Sequence, residues 1–132
     1  MNLNSKNSYH IEINDIDIPS LDENVSLNIK KLKNSGINII LDDYCPDSID
    51  SNLSLEMINW DYIKLDKSFI SKINNTNKKL EDIILFISKH CNNEVIIEGV
   101  ETELQNNLIK KHKILAQGYY FSRPKNMEEF IE

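Results

Sequence analysis

The sequence predicts an α/β fold of parallel βα repeats, on three observations. Short apolar runs such as Ile37–Leu41 and Val95–Ile97 alternate with segments of helical periodicity. The runs are almost wholly apolar, as strands covered on both faces are. Polar residues collect at the C-terminal ends of those runs. Parallel neighbours need a crossover between them, so five such runs joined by helices read as one parallel sheet.

The elements follow in order. Ile11 and Ile13 bracket Glu12 within Tyr9–Asn14, an alternation of period two that marks a strand. Ser20 and Glu23 have capping-box spacing, and Leu21, Val25, Ile29 and Leu32 recur at helical intervals up to Gly36, a suitable left-handed stop. Ile37–Leu41 is the second strand and ends in Asp42-Asp43. The polar stretch Tyr44–Asn52, with Pro46, reads as a loop, followed by a short helix over Leu53–Ile58. Tyr62–Leu65 is the third strand, Ser68–Ile73 a helical turn or two, and Asn74–Asn77 a break. Leu80, Ile83, Ile84, Ile87 and Cys91 form one stripe on a helix from Lys78 to Cys91. Val95–Ile97 is the fourth strand, Thr102 and Gln105 open another helix with capping-box spacing, and Leu115–Phe121 is the fifth strand before Pro124. Met127–Ile131 reads as a terminal helix. With 132 residues, the chain reads as a single domain over 1–132.

Composition removes several classes of function. Twenty-one acidic side chains against 15 basic ones give a net charge of -6, which repels a phosphate backbone and argues against DNA or RNA as partner. Arg123 is the single arginine, so no guanidinium cluster exists to grip phosphate. Mean hydropathy is -0.43 and no apolar run approaches the roughly 20 residues of a spanning helix, which predicts no membrane segment. The first ten residues lack the apolar stretch of a secretory signal. Cys45 and Cys91 stand far apart without a CxxC or Cys/His pattern, as expected of reduced thiols in the cytoplasm.

Placed on this frame, the polar residues converge. Glu12 lies in the first strand, with Asp15 just beyond it; Asp42 and Asp43 end the second. Lys64 and Asp66 end the third, Glu98 ends the fourth, and Gln117 lies in the fifth. The C-terminal strand ends of an α/β sheet form the face where ligands bind. A carboxylate between isoleucines, as at Glu12, is costly unless paired or bound to a metal. Several carboxylates with one lysine suit oxygen-preferring divalent ions, Mg2+ or Mn2+, which activate water and stabilise a phosphodiester under attack. Placement alone names no substrate.

The segments "GINIILDDY", "WDYIKLDKSFI", "VIIEGVETELQ" and "AQGYYFSRP" resemble, in order and nearly in spacing, the successive signatures of EAL domains, bacterial cyclic di-GMP phosphodiesterases. The resemblance runs from Tyr9 to Pro124. It implies a TIM-type (β/α)8 barrel in which two divalent metals open the cyclic dinucleotide to linear pGpG. Carried over, Glu12 resembles a metal-binding glutamate, and Asp42 and Asp43 the aspartate pair whose first member bridges both metals. Lys64 resembles the lysine holding the attacking water and phosphate, and Glu98 the glutamate at the second metal. Asp66, Glu101 and Gln117 resemble supporting residues near the site. Asp15 takes the place of a glutamate that steadies the loop after the aspartate pair.

The departures are specific. Such barrels take about 250 residues, so the resemblance implies a partial, truncated barrel of about five strands, lacking the N-terminal ones. There is no Glu-Ala-Leu segment, and the family's first metal-binding glutamate and its asparagine ligand have no counterpart. The glycine-containing loop after the aspartate pair is replaced by Tyr44-Cys45-Pro46-Asp47. The expectation is an impaired phosphodiesterase, or a regulatory module that engages a protein partner or a second copy through its open sheet edges. Without the surrounding match, Asp42-Asp43 reads as an ordinary strand-to-loop cap; for Lys64 the inherited site position stands ahead of the alternative, an exposed strand lysine paired with Asp66. Trp60 and Phe69 read as core, Tyr119 and Tyr120 as core or rim.

Overall fold

A computed structural model describes residues 8–14, 22–72, 77–112 and 114–130. The elements alternate as predicted: β1 His10–Asn14, α1 Glu23–Asn34, β2 Asn38–Tyr44, α2 Ile49–Met57, β3 Tyr62–Leu65, α3 Lys67–Ser71, α4 Asn77–Ser88, β4 Val95–Ile97, α5 Glu103–Lys110 and β5 Leu115–Ala116, then a 3-10 turn at Met127–Phe130. The five strands form one sheet in chain order, β1-β2-β3-β4-β5, and every pairing is parallel.

One face of this sheet carries the core. Ile39, Leu41, Ile63, Leu65, Val95 and Ile97 alternate along their strands and pack with Leu55, Trp60, Phe69, Ile70, Leu80, Ile84, Ile87 and Ile109 into a single buried cluster. Trp60 is fully buried and its indole N–H donates to the Ser54 carbonyl at 2.9 Å. Trp60 and Phe69 are thus core residues, as read from the sequence.

Element ends differ from the sequence reading where a side chain captured the backbone first. The cap of α1 is Asp22, whose carboxylate accepts from the Val25 N–H at 2.9 Å; Asp15, Ser20 and Leu21 lie outside the described residues. At the other end Gly36 has φ +84°, with the Gly36 N–H on Lys33 and the Ile37 N–H on Leu32, which closes the helix as a Schellman turn. The polar stretch before residue 53 is helical from Ile49, because Ser48 caps it by accepting from Ser51 N–H at 3.2 Å. Helix α4 stops at Ser88 rather than reaching Cys91, which instead forms a parallel bridge with Trp60. The capping box of Thr102 and Gln105 is present as predicted.

Strand β5 is the clearest correction. It spans Leu115–Ala116 rather than running to Phe121. Gly118 lies so close to the backbone of Val100 that a β-carbon would overlap its amide and carbonyl. Val100 N–H donates to Gln117 and Tyr120 N–H donates back to Val100, which bends the chain off the ladder.

The opposite end of the sheet is tied by Asp61. Its carboxylate accepts from the Ile39 N–H at 2.8 Å, from Asn92 at 3.0 Å and from Lys33 at 3.0 Å. Burial alone raises its pKa, but these donors outweigh it, and the group is held below its ordinary 3.8. One buried carboxylate therefore joins α1, β2, β3 and the lead into β4.

Asp61→Ala strands the Ile39 amide and the Lys33 ammonium and costs about 3 kcal/mol of unfolding free energy, read from urea melts. Because the folded pKa is lowered, Asp61 contributes stability above its ordinary pKa and loses it as pH falls through the folded value, so the wild type weakens on acidification below the ordinary carboxylate pKa more steeply than Asp61→Asn. Gly118→Ala forces β5 away from Val100 and lowers the melting temperature by about 5 °C or more, whereas Gly36→Ala, with open space around it but a positive φ, costs about 1 kcal/mol.

Candidate active site

At the C-terminal ends of the strands the parallel register brings together residues far apart in sequence. Glu12 and Asn14 pair with Ile40 and Asp42 across β1 and β2, and Lys64 pairs with Ile96 across β3 and β4. Lys64, on the face opposite the core cluster, is 5% exposed. Its Nζ lies 3.1 Å from Glu12 Oε1, 3.0 Å from Asp42 Oδ1 and 2.8 Å from Glu98 Oε1. One ammonium thus meets carboxylates from β1, from β2 and from the end of β4. The reading of Lys64 as an exposed lysine paired with Asp66 is overturned: the Asp66 carboxylate caps α3 by accepting from Ser68 N–H at 2.7 Å.

Two neighbouring aspartates reach the same place because the ladder is broken there. The β2–β3 register shifts between Leu41 and Tyr44, and Asp43 has φ +55°. In an unbroken strand adjacent side chains point to opposite faces. Here Asp42, Asp43 and Glu98 each place a carboxylate oxygen within 4.8 Å of the others. The left-handed backbone of Asp43 is tolerated by aspartate better than by most residues. Strand β2 continues through Tyr44, a buried residue whose hydroxyl donates to Asn52 Oδ1 at 2.8 Å. Asn52 in turn donates to the Pro46 and Ser48 carbonyls, and Ser51 Oγ accepts from the Cys45 N–H. Hydrogen bonds thus fix the path of the loop that lacks the family's glycine.

The electrostatics fit this crowding. Burial is the largest influence on Lys64 and disfavours its charge, yet Glu98, Asp42 and Glu12 together outweigh it and raise its pKa. Burial raises the pKa of Glu98 above the ordinary carboxylate value; Lys64 opposes this, and the Asp42 and Asp43 charges add to it. Asp42 Oδ1 is buried and, although 3.0 Å from the ammonium, is not aligned to accept a hydrogen bond. A desolvated carboxylate oxygen without a hydrogen bond, in an all-oxygen donor set with more negative than positive charge, fits a hard divalent cation.

A cleft of about 350 Å³ opens beside these groups, lined by Asp43, Asp66, Lys67, Glu98, Glu101, Gln117 and Tyr119, among others. Glu101 and Gln117 thus border the site without joining the ion pairs described. Lys67 was not anticipated: as the first residue of α3 it carried no signal of its own. Tyr119 and Tyr120 are exposed at the rim rather than in the core.

Comparison with known proteins is consistent with this geometry. The family description "EAL domain" matches residues 1–124. The Escherichia coli K12 protein named "Probable cyclic di-GMP phosphodiesterase PdeI" is 37% identical over 120 residues, which is 89% of this chain and 15% of that protein. The crystal structure of the EAL domain of Mycobacterium smegmatis DcpA superposes with a TM-score of 0.78 at 23% identity, covering 92% of this chain and 55% of that one. The Bacillus subtilis YkuI protein, solved with an EAL domain in complex with substrate c-di-GMP and calcium, superposes with a TM-score of 0.70 at 21% identity over 89% of this chain and 29% of that one. The chain thus spans about half of the DcpA domain and a smaller share of PdeI and YkuI. With parallel βα topology and a family match over nearly its whole length, this chain belongs to the EAL domain family.

Proposed function

We propose that residues 1–132 form one EAL-type domain, a partial barrel whose rim is a divalent-metal site for hydrolysing cyclic di-GMP to linear pGpG, impaired when this chain acts alone. The observation that carries the reading is the contact of Lys64 with Glu12, Asp42 and Glu98 beside the Asp42–Asp43–Glu98 cluster. The calcium and c-di-GMP in the YkuI structure and the name of PdeI lend support.

Glu12, Asp42, Asp43 and Glu98 would hold Mg2+ or Mn2+, which when bound acidifies water and neutralises phosphoryl charge. The remaining work falls to the chain's own groups. Lys64 offers an ammonium to a phosphoryl oxygen and compensates the charge that builds there. Glu98, beside the Lys64 ammonium and the aspartates, accepts the proton of the attacking water. Asp66 holds α3 against the cleft by its cap, and Glu101 and Gln117 offer polar groups along the cleft wall. Impairment is inferred from the ligands that the sequence lacks. A cytoplasmic setting is supported by the free thiols of Cys45 and Cys91, and no helix among the described residues is long and apolar enough to cross a membrane.

A second reading, a non-catalytic regulatory or interaction module, is favoured by the sheet edges. β1 and β5 each pair with a single neighbour among the described residues, and Ile11 and Leu115 on them are exposed. Such edges accept a protein partner or a second copy.

The deciding experiment incubates the purified chain with cyclic di-GMP and excess Mn2+ or Mg2+, with Asp42→Ala alongside, and follows pGpG chromatographically. The expected outcome is trace product that vanishes in Asp42→Ala; rapid turnover by the wild type overturns the impairment, and product unaffected by the substitution overturns the site. If the module reading holds, Ile11→Lys abolishes self-association or partner capture in sedimentation while Asp42→Ala leaves it unchanged.

A further inference from the structure

Lys64 does more in this geometry than wait for a phosphate. Its ammonium already contacts three carboxylates drawn from three separate segments, Glu12 on β1, Asp42 on β2 and Glu98 after β4, at 2.8 to 3.1 Å. Two of these, Asp42 and Glu98, also belong to the trio with Asp43 whose oxygens lie within 4.8 Å of one another. The ammonium and an incoming cation therefore draw on the same carboxylates. Without a positive charge among them, four carboxylates at one rim repel, and the desolvated Asp42 Oδ1 has no hydrogen bond to disperse its charge. Lys64 sits mid-sheet and buried, so it cannot swing out to solvent as a surface lysine does.

We propose that Lys64 is a built-in counterion that holds the rim of the sheet together before any metal arrives and, by occupying the same carboxylates, weakens the affinity for a divalent cation. The inference rests on the metal-site reading above and adds a role that precedes chemistry: the lysine sets how much cation is needed to load the site. Lys64 is in this role a positioning residue, acting through Glu12, Asp42 and Glu98.

The test compares wild type, Lys64→Met and Lys64→Arg, each purified in chelator, by thermal melting and by calorimetric titration with Mn2+ alone. The expected result is a metal-free melting temperature lower by about 5 °C or more in Lys64→Met. Its Mn2+ affinity is expected to be about tenfold tighter than wild type, since a unit positive charge has been removed beside a dication. Lys64→Arg keeps the charge and stays near wild type in both readings, which separates lost charge from lost packing. Were Lys64→Met not to fold in chelator, recovery of its fold by Mn2+ at concentrations that leave the wild type unsaturated supports the same conclusion, and failure of Mn2+ to recover it overturns it. Wild-type binding with no tightening in Lys64→Met overturns the counterion role and leaves the metal site standing. No Mn2+ binding by any of the three overturns both.

Discussion

The site depends on strand register, and register is fixed from the far end of the sheet. The rim groups come from the ends of β1, β2, β3 and β4, so a slip of any strand by one residue would turn its side chains to the other face. Asp61 prevents that slip. It binds the Ile39 amide near the start of β2, the asparagine that leads into β4 and Lys33 in the last turn of α1, while its own backbone amide bonds to the carbonyl of Ile39. A buried carboxylate with this many donors is stable as an anion. The chemistry of the rim is thus set by a salt bridge at the opposite pole that never meets the cleft.

The break in the β2–β3 ladder is the second constraint. A regular strand delivers one side chain in two to a given face, and the site uses two consecutive aspartates. Bending the backbone at Asp43 into the left-handed region solves this, and the polar clasp of Asn52, Ser51 and Ser48 behind it holds the bend. Tyr44 marks where the chain turns back to the core: burial and then the nearby Cys45 thiol push its pKa up to about 12, so it remains a neutral hydrogen-bond donor. A loop without glycine can keep the aspartates in place because side chains, rather than backbone freedom, define its course.

Much of this was legible in the sequence, for identifiable reasons. The alternation around Glu12 marks a strand, although Ile11 and Glu12 are exposed, and the apolar runs ending in Asp42, Lys64 and Glu98 report burial, which local pattern captures well. The capping box at Thr102 and Gln105 is a local device and was equally readable. What escaped were outcomes decided by distant partners. The helical start at Ile49 is a local exception, set by the Ser48 cap and hidden by a polar composition that also suits a loop. The early end of β5 is dictated by the backbone of Val100, and nothing near Gly118 announces that approach. Asp61 looks like any polar residue before a strand, because its three donors come from 22 or more residues away.

The order of strands in space is the order of strands in the chain, and this governs how the molecule is made. Each strand docks on the one before it after a single intervening segment, so every step of sheet growth closes only a short loop and loses little chain entropy. Growth can then proceed vectorially, each later unit adding to the edge left by the one before it. Assembly of this kind resembles that of a repeat protein, in which a run of adjacent units is stable as a piece and a partner array is joined edge to edge rather than threaded through.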